Sequence, residues 1–268
     1  MTTANCRSFT IIDCNRKNNG KDTMPTHQIQ IASVDGVIDA TLHVPAGTGP
    51  WPGVVMLTDI MGPRPVFFDQ ADRLAGEGYA VLLPNPYYRE GPAPVPDLAS
   101  PPSQAKMQTL FALMGTLTPG RLRSDGKAIV DGLAARPEVK TGPVAVVGYC
   151  MGGRFAVYFA EAAGEKVGAI ASYHGAGLVS DDPDSPHKVA ANLSARMYFG
   201  HADGDEYLPF DRLPEFEKTL ADAGATCTSE VYAGARHGFA VPGGPAYNED
   251  AAQRHWHTLL GHLASSFP

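Results

Sequence analysis

Residues 144–163 read VAVVGYCMGGRFAVYFAEAA. The run from Val144 to Val147 is continuously apolar, as a strand buried on both faces would be, and an Ala-rich stretch of helical character follows from Met151. Between them Gly148-Tyr149-Cys150-Met151-Gly152 has the pattern G-x-nucleophile-x-G. The flanking glycines let a strand turn sharply into a helix and present the central side chain at the edge of a sheet. The positive end of the helix dipole then faces that side chain and favours negative charge on it. Cys150 is therefore either a nucleophile or a small filler between two glycines, and residues elsewhere must decide.

Working outward, other apolar runs also lack alternation: GVVMLTD (53–59), YAVLLP (79–84), VGAIASY (167–173), ARMYFG (195–200) and CTSEVY (227–232). Such runs suit the buried strands of a parallel sheet. Apolar residues recur at helical spacing between them, at Phe67, Phe68, Ala71, Leu74 and Ala75, at Ile129, Val130 and Leu133, and at Ala252, Leu259, Leu260 and Leu263. Before them, IQIASV (29–34) and VIDATLHV (37–44) flank Asp35-Gly36, a hairpin turn signal. The expected architecture is α/β: a mostly parallel, doubly wound sheet with an antiparallel N-terminal hairpin and helices on both faces. Ligands of such sheets bind at the carboxyl ends of the strands. The Pro-rich PNPYYREGPAPVPDLASPPS (84–103) is too long for an ordinary connection and is a candidate for shaping a site.

The 268 residues are 44% hydrophobic and 18% charged, enough for a substantial core. Residues 26–268 read as one domain. Residues 1–25 are polar and rich in Asn and Lys, and read as an extension, disordered or the product of a mistaken start upstream of Met24. The net charge of −7 comes without any basic block, which argues against a nucleic-acid partner. No apolar run approaches the roughly 18 residues of a membrane span, and no secretory signal opens the chain, so a cytoplasmic location is expected. The four cysteines, Cys6, Cys14, Cys150 and Cys227, have no metal-ligand spacing, and neither a disulfide framework nor a metal site is expected.

A nucleophile needs a base, and the base an orienting acid. The Cys150 turn resembles that of the α/β-hydrolases, in which nucleophile, acid and base follow in that chain order, the last two in loops after late strands. Asp203 and Asp205 follow ARMYFG, and His237 follows CTSEVY. Among the other histidines, His27 and His43 belong to the opening hairpin and His187 to an acidic loop. His255 and His257 point to different faces of one helix, and His262 reads as surface. His174 and His201 follow strand ends and could line a pocket.

From about residue 26 onward the chain resembles the dienelactone hydrolase family, the Cys-nucleophile branch of the α/β-hydrolases. The resemblance lies in VVGYCMGGRFA (146–156), LTDIMGPRP (57–65), ADGDEYLP (202–209) and GARHGFA (234–240). It implies Cys150 as nucleophile, His237 as general base and Asp205 as orienting acid, favoured over Asp203 by the spacing to Leu208-Pro209. It also implies an oxyanion hole made of the backbone N–H groups of Met151 and Ile60. The archetype carries a Glu where this chain has Asp59, an auxiliary acid one methylene shorter. The archetype's two carboxylate-binding arginines correspond here to Val241 and to a region offering only Lys106 and Arg89, so a substrate without a carboxylate is expected. Tyr87, Tyr88 and Phe239 could wall the pocket, with His174 beside them. Asp181-Asp182-Pro183-Asp184 reads as a solvated loop, and Cys227 as a core residue.

The expected protein is a cofactor-free hydrolase, monomer or homodimer, opening a small lactone or activated (enol or aryl) ester through a Cys-His-Asp triad and an acyl-thioester. A non-catalytic small-molecule binding or sensor protein on the same fold is the alternative. A thiol redox protein would need a resolving cysteine near Cys150, and none is close in sequence.

Overall fold

The computed structural model describes residues 12–13, 24–95, 103–208 and 210–267. Among the described residues nine strands form one sheet in the order β1-β2-β3-β5-β4-β6-β7-β8-β9. They are β1 (Ile12–Asp13), β2 (Thr26–Ser33), β3 (Gly36–His43), β4 (Gly53–Leu57), β5 (Ala80–Pro84), β6 (Val144–Tyr149), β7 (Val167–Tyr173), β8 (Arg196–Ala202) and β9 (Cys227–Tyr232). β1, β2, β3 and β5 pair antiparallel in turn, and β5, β4, β6, β7, β8 and β9 run parallel. This is the mostly parallel sheet with an antiparallel N-terminal hairpin expected from the apolar runs. The hairpin loop is Val34–Asp35, one residue earlier than the turn signal suggests, and Ser33 pairs with Gly36. Within the N-terminal segment, Ile12 and Asp13 lie opposite Gln28 and His27, and residues 1–11 and 14–23 fall outside the described residues.

The unbroken apolar runs are two interleaved alternations. In β4, Val55 and Leu57 belong to one core and Val54 and Met56 to the other; in β6, Val144 and Val146 oppose Ala145, Val147 and Tyr149. These two central strands are covered on both sides, so neither carries a charged or polar-facing position. Helices α3 (Pro119–Ala134) and α4 (Met151–Ala163) pack on the first face, with α5 (Pro186–Ala190) and α6 (Leu213–Asp222) beside them. Helices α1 (Pro65–Gly76) and α7 (Glu249–Ala264) cover the second, through Phe67, Leu74, Trp256 and Leu259. Helix α2 (Gln104–Gly115) buries only Leu110 and lies over the carboxyl ends of the strands, where its Met107, Phe111 and Met114 line a cavity.

Two histidines sit differently from their sequence expectation. His187 belongs to the first turn of α5 and is buried, its Nδ1 2.8 Å from Ser185 Oγ. His262 is also buried, because it lies seven residues beyond His255, on the face of α7 that meets the sheet. Among the described residues no helix is long and apolar enough to cross a membrane, and no group of three or more His, Cys, Asp or Glu side chains is placed to hold a metal.

Candidate active site

β6 ends at Tyr149 and α4 begins at Met151, so the whole reversal falls on Cys150, with φ 55° and ψ −120°. A non-glycine residue with positive φ is strained, and the surroundings hold it there. The Cys150 N–H donates to the Tyr173 carbonyl at 3.2 Å, while its own carbonyl accepts from Gly153 and Ala176, both at 3.0 Å. The glycines are required by close approach. A Cβ on Gly148 would lie 2.0 Å from the Gly152 carbonyl oxygen, and one on Gly152 would lie 2.6 Å from that of Leu57. Behind the turn, the Tyr149 hydroxyl is 2.9 Å from His255 Nε2 on α7.

The β8 and β9 loops bring an acid and an imidazole to the same end of the sheet. His237 Nδ1 lies 2.9 and 2.8 Å from the two oxygens of Asp205, which is buried and accepts a further hydrogen bond from Tyr207 N at 2.9 Å. Asp203 is exposed and turned away: its carboxylate accepts from Gly234 N at 2.8 Å and its N–H donates to the Ala235 carbonyl, tying the two loops together. Burial pushes the His237 imidazole down, but the Asp205 hydrogen bonds and the nearby Cys150 sulfur outweigh it and lift the pKa to about 10. His237 Nε2 is buried without a hydrogen-bond partner of acceptable geometry, and both His237 and Cys150 line the cavity.

That cavity has a volume of about 420 Å³. Ile60, Met61, Met107, Phe111, Met114 and Val241 supply most of its apolar wall. Met151 is the first residue of α4, so its N–H has no intrahelical acceptor. The Ile60 peptide is fixed from behind, because the Tyr87 hydroxyl donates to the Ile60 carbonyl at 2.8 Å. The Asp59 carboxylate is fully engaged: Arg64 Nη1 and Nη2 bind its two oxygens at 2.5 and 2.7 Å, and Met61 N donates to it at 3.0 Å. Asp59 and its partner Arg64 both line the cavity with Cys150. His174 lines the cavity with φ 40°, its ring 5.2 Å from that of His237 and both its nitrogens buried without partners. Burial, and then its neighbours His237 and His255, drive its pKa well below the usual imidazole range.

Several expected pocket residues are placed elsewhere. Tyr87 is buried behind the Ile60 loop. Tyr88 donates to Asp125 at 2.8 Å, and Arg89 pairs with Asp125 and Asp35, across the opening hairpin. Phe239 is fully buried, stacked on Tyr232 at 4.7 Å. His201 is buried too, its Nε2 3.1 Å from Ser229 Oγ. Lys106 is on α2, beside the cavity-lining Met107. Sequence reasoning missed Arg64 and Arg154, both of which line the cavity, as well as Tyr207 at its rim. Arg64 lies within the LTDIMGPRP segment, five residues after an acid.

The family model of the dienelactone hydrolases, "Dienelactone hydrolase family", matches residues 38–267. The chain belongs to that family. As a dienelactone hydrolase family member it is a carboxylic-ester or lactone hydrolase. It is 29% identical over 236 residues to a protein of Methylorubrum extorquens named "Putative carboxymethylenebutenolidase", covering 87% of this chain and 78% of the relative. A protein of the same name in Azospirillum brasilense is 29% identical over 224 residues, or 83% of this chain and 90% of that one. The crystal structure of a "Putative Dienelactone Hydrolase" from Klebsiella pneumoniae superposes with a TM-score of 0.79 at 25% identity, covering 89% of this chain and 98% of that one.

Proposed function

We propose that the enzyme opens a lactone or activated ester through Cys150, His237 and Asp205, with a covalent acyl-thioester intermediate. The observation that carries this reading is the meeting at one cavity of a thiol on a strained strand-to-helix turn and an imidazole whose Nδ1 lies within 2.9 Å of both oxygens of a buried carboxylate. The Cys150 sulfur attacks the carbonyl carbon, and the π pair moves onto oxygen, where the Met151 and Ile60 N–H groups stabilise it. Collapse expels the leaving oxygen, which takes a proton from His237 Nε2, and leaves the thioester. The now neutral imidazole accepts a proton from water as that oxygen attacks the thioester. The sulfur then departs with the electron pair of the C–S bond and the acid is released.

A thiolate attacks well but also leaves well, so the first step favours esters whose leaving group is itself stabilised, such as an enolate or a phenolate. Asp59 acts here through Arg64, holding the loop that bears Ile60. The reading requires no cofactor and extends to a cytoplasmic monomer or homodimer acting on small molecules. Its test is turnover of an enol or aryl ester by wild type and Cys150→Ala, with mass spectrometry of the wild type stopped in acid. The expected result is loss of turnover in the variant and an acyl adduct on Cys150 in the wild type. A Cys150→Ala protein that keeps most of its activity overturns the mechanism.

A further inference from the structure

Two residues other than glycine have positive φ among the described residues, Cys150 at 55° and His174 at 40°. They are neighbours, because each directly follows a strand, β6 or β7, and the last residues of those strands, Tyr149 and Tyr173, are paired in register. The segment after β7 is bound to the Cys150 turn from both sides. The Cys150 N–H donates to the Tyr173 carbonyl at 3.2 Å and the Ala176 N–H to the Cys150 carbonyl at 3.0 Å, while the His174 N–H donates to the Gly200 carbonyl at 2.8 Å. Backbone strain persists only where the surroundings fix it, and it gathers at working sites.

The His174 side chain is wholly buried and lines the cavity with Cys150 and His237. Its ring meets those of His237 and Phe239 edge-on, each at 5.2 Å, and lies 6.0 Å from that of Tyr149. A phenyl ring would serve that packing and bury no polar atom. Yet both His174 nitrogens are buried without a partner, and so is Nε2 of His237 beside them. Buried polar groups left unbonded are costly, so the partner is to be sought in what the cavity receives. Burial, with the nearby His237 and His255 imidazoles, keeps His174 neutral. A neutral imidazole has one N–H and one lone-pair nitrogen. Neither nitrogen is taken by the protein, so a lone pair is available in either tautomer.

We propose that His174 is a second catalytic imidazole, which holds the hydrolytic water of the deacylation step against His237. One O–H of that water faces His237 Nε2 and the other donates to His174. His237 takes the first proton as the water oxygen bonds to the thioester carbon, and the electron pair of the C–S bond leaves with the Cys150 sulfur. The second proton stays on oxygen and departs with the acid, so His174 ends the step neutral, as it began. Fixing both O–H directions turns a lone pair of the oxygen towards the carbonyl, a near-attack geometry. The assignment rests on the acyl-thioester reading of the cavity and leaves the first step untouched, since no water takes part in it.

The experiment compares wild type, His174→Phe and His174→Ala, with thermal melting reporting the fold of each. With enzyme in excess over an aryl acetate, release of the phenol reads acylation, and mass spectrometry of samples stopped in acid reads the decay of the acetyl group on Cys150. Loss of the hydrogen bond is expected to slow that decay about 10- to 100-fold in His174→Phe, with phenol release held within about threefold. Hydroxylamine, which attacks a thioester without help from a base, is expected to discharge the slow acetyl-enzyme. His174→Ala serves where His174→Phe does not fold, because a smaller side chain overpacks nothing, and the same split is expected of it. An unchanged decay overturns the assignment. Decay and phenol release slowed alike also overturn it, since a ring needed only for packing would affect both steps. Failure of the acyl-thioester reading looks different: no acetyl group is then found on Cys150 in any of the three proteins, and the assignment falls with it.

Discussion

His237 holds its proton more tightly in the folded protein than a free imidazole does, with a pKa raised to about 10 against an ordinary value of 6.5. The stabilisation linked to that proton is complete below the unfolded value and is lost as pH rises through the folded one. Wild-type melting temperature therefore falls between about pH 6.5 and about pH 10 from this source, and falls less steeply in Asp205→Asn, which loses the carboxylate charge. The same variant lowers the His237 titration midpoint, followed by NMR of the ring proton, and cuts kcat on the order of 10³- to 10⁴-fold, as loss of an orienting carboxylate does. An unchanged midpoint contradicts the assignment. In the sequence Asp205 was favoured over Asp203 by the spacing to Leu208-Pro209 that the family resemblance implies, and it is the carboxylate within reach of His237 Nδ1. Arg154 was not legible as a cavity residue, although it stands inside the most informative stretch of the chain. A position four after the nucleophile reads as a helix residue. Only the approach of α2 and of the 174–177 loop, remote in sequence, turns that helical turn into a cavity wall.

The strand-turn-helix unit of β6 and α4 tolerates no added atoms on its inner side. A Cβ on Gly152 meets the Leu57 and Thr58 carbonyl oxygens at 2.6 and 2.7 Å, and backbone cannot move aside as a flexible side chain can. Gly152→Ala is expected to destabilise the protein by roughly 1–3 kcal/mol, the usual cost of overpacking, read as a lower urea midpoint together with reduced turnover per folded molecule. An unaltered midpoint would mean that β4 and α4 are less closely set. The central parallel strands β4, β5, β6 and β7 were legible because burial on both faces leaves almost no polar residue in them, whereas β9 at the edge carries Thr228, Ser229 and Glu230 and is only half-buried. Helix α2 was not legible, for the opposite reason. It buries only Leu110, and the side chains it turns inward face a cavity rather than a core, so no apolar stripe marks it.

Across the whole molecule, the hairpin, the β5 loop and α3 are joined at Asp125. This buried carboxylate accepts from Ser33 Oγ at 2.9 Å, from Tyr88 at 2.8 Å and from two nitrogens of Arg89 at 2.8 and 3.0 Å, while Arg89 also reaches Asp35. Removing one member of a largely buried ion pair strands the other, so Arg89→Met is expected to cost about 3 kcal/mol or more in denaturant unfolding. Turnover of an aryl ester per folded molecule is expected to survive, since Arg89 does not line the cavity. Loss of that turnover would instead return Arg89 to the substrate site. The domain as a doubly wound sheet was legible from the order of its runs, whereas this junction was not, because Ser33 and Asp125 stand 92 positions apart and nothing local marks either.

The contact of Tyr149 with His255 spans 106 positions. During synthesis the ribosome delivers the thiol-bearing turn well before the imidazole at 237 and the helix that backs Tyr149. A growing chain therefore carries a cysteine without the imidazole proposed as its base and a phenol without its hydrogen-bond partner, and on that proposal the thiol matures only when the far end of the fold has docked.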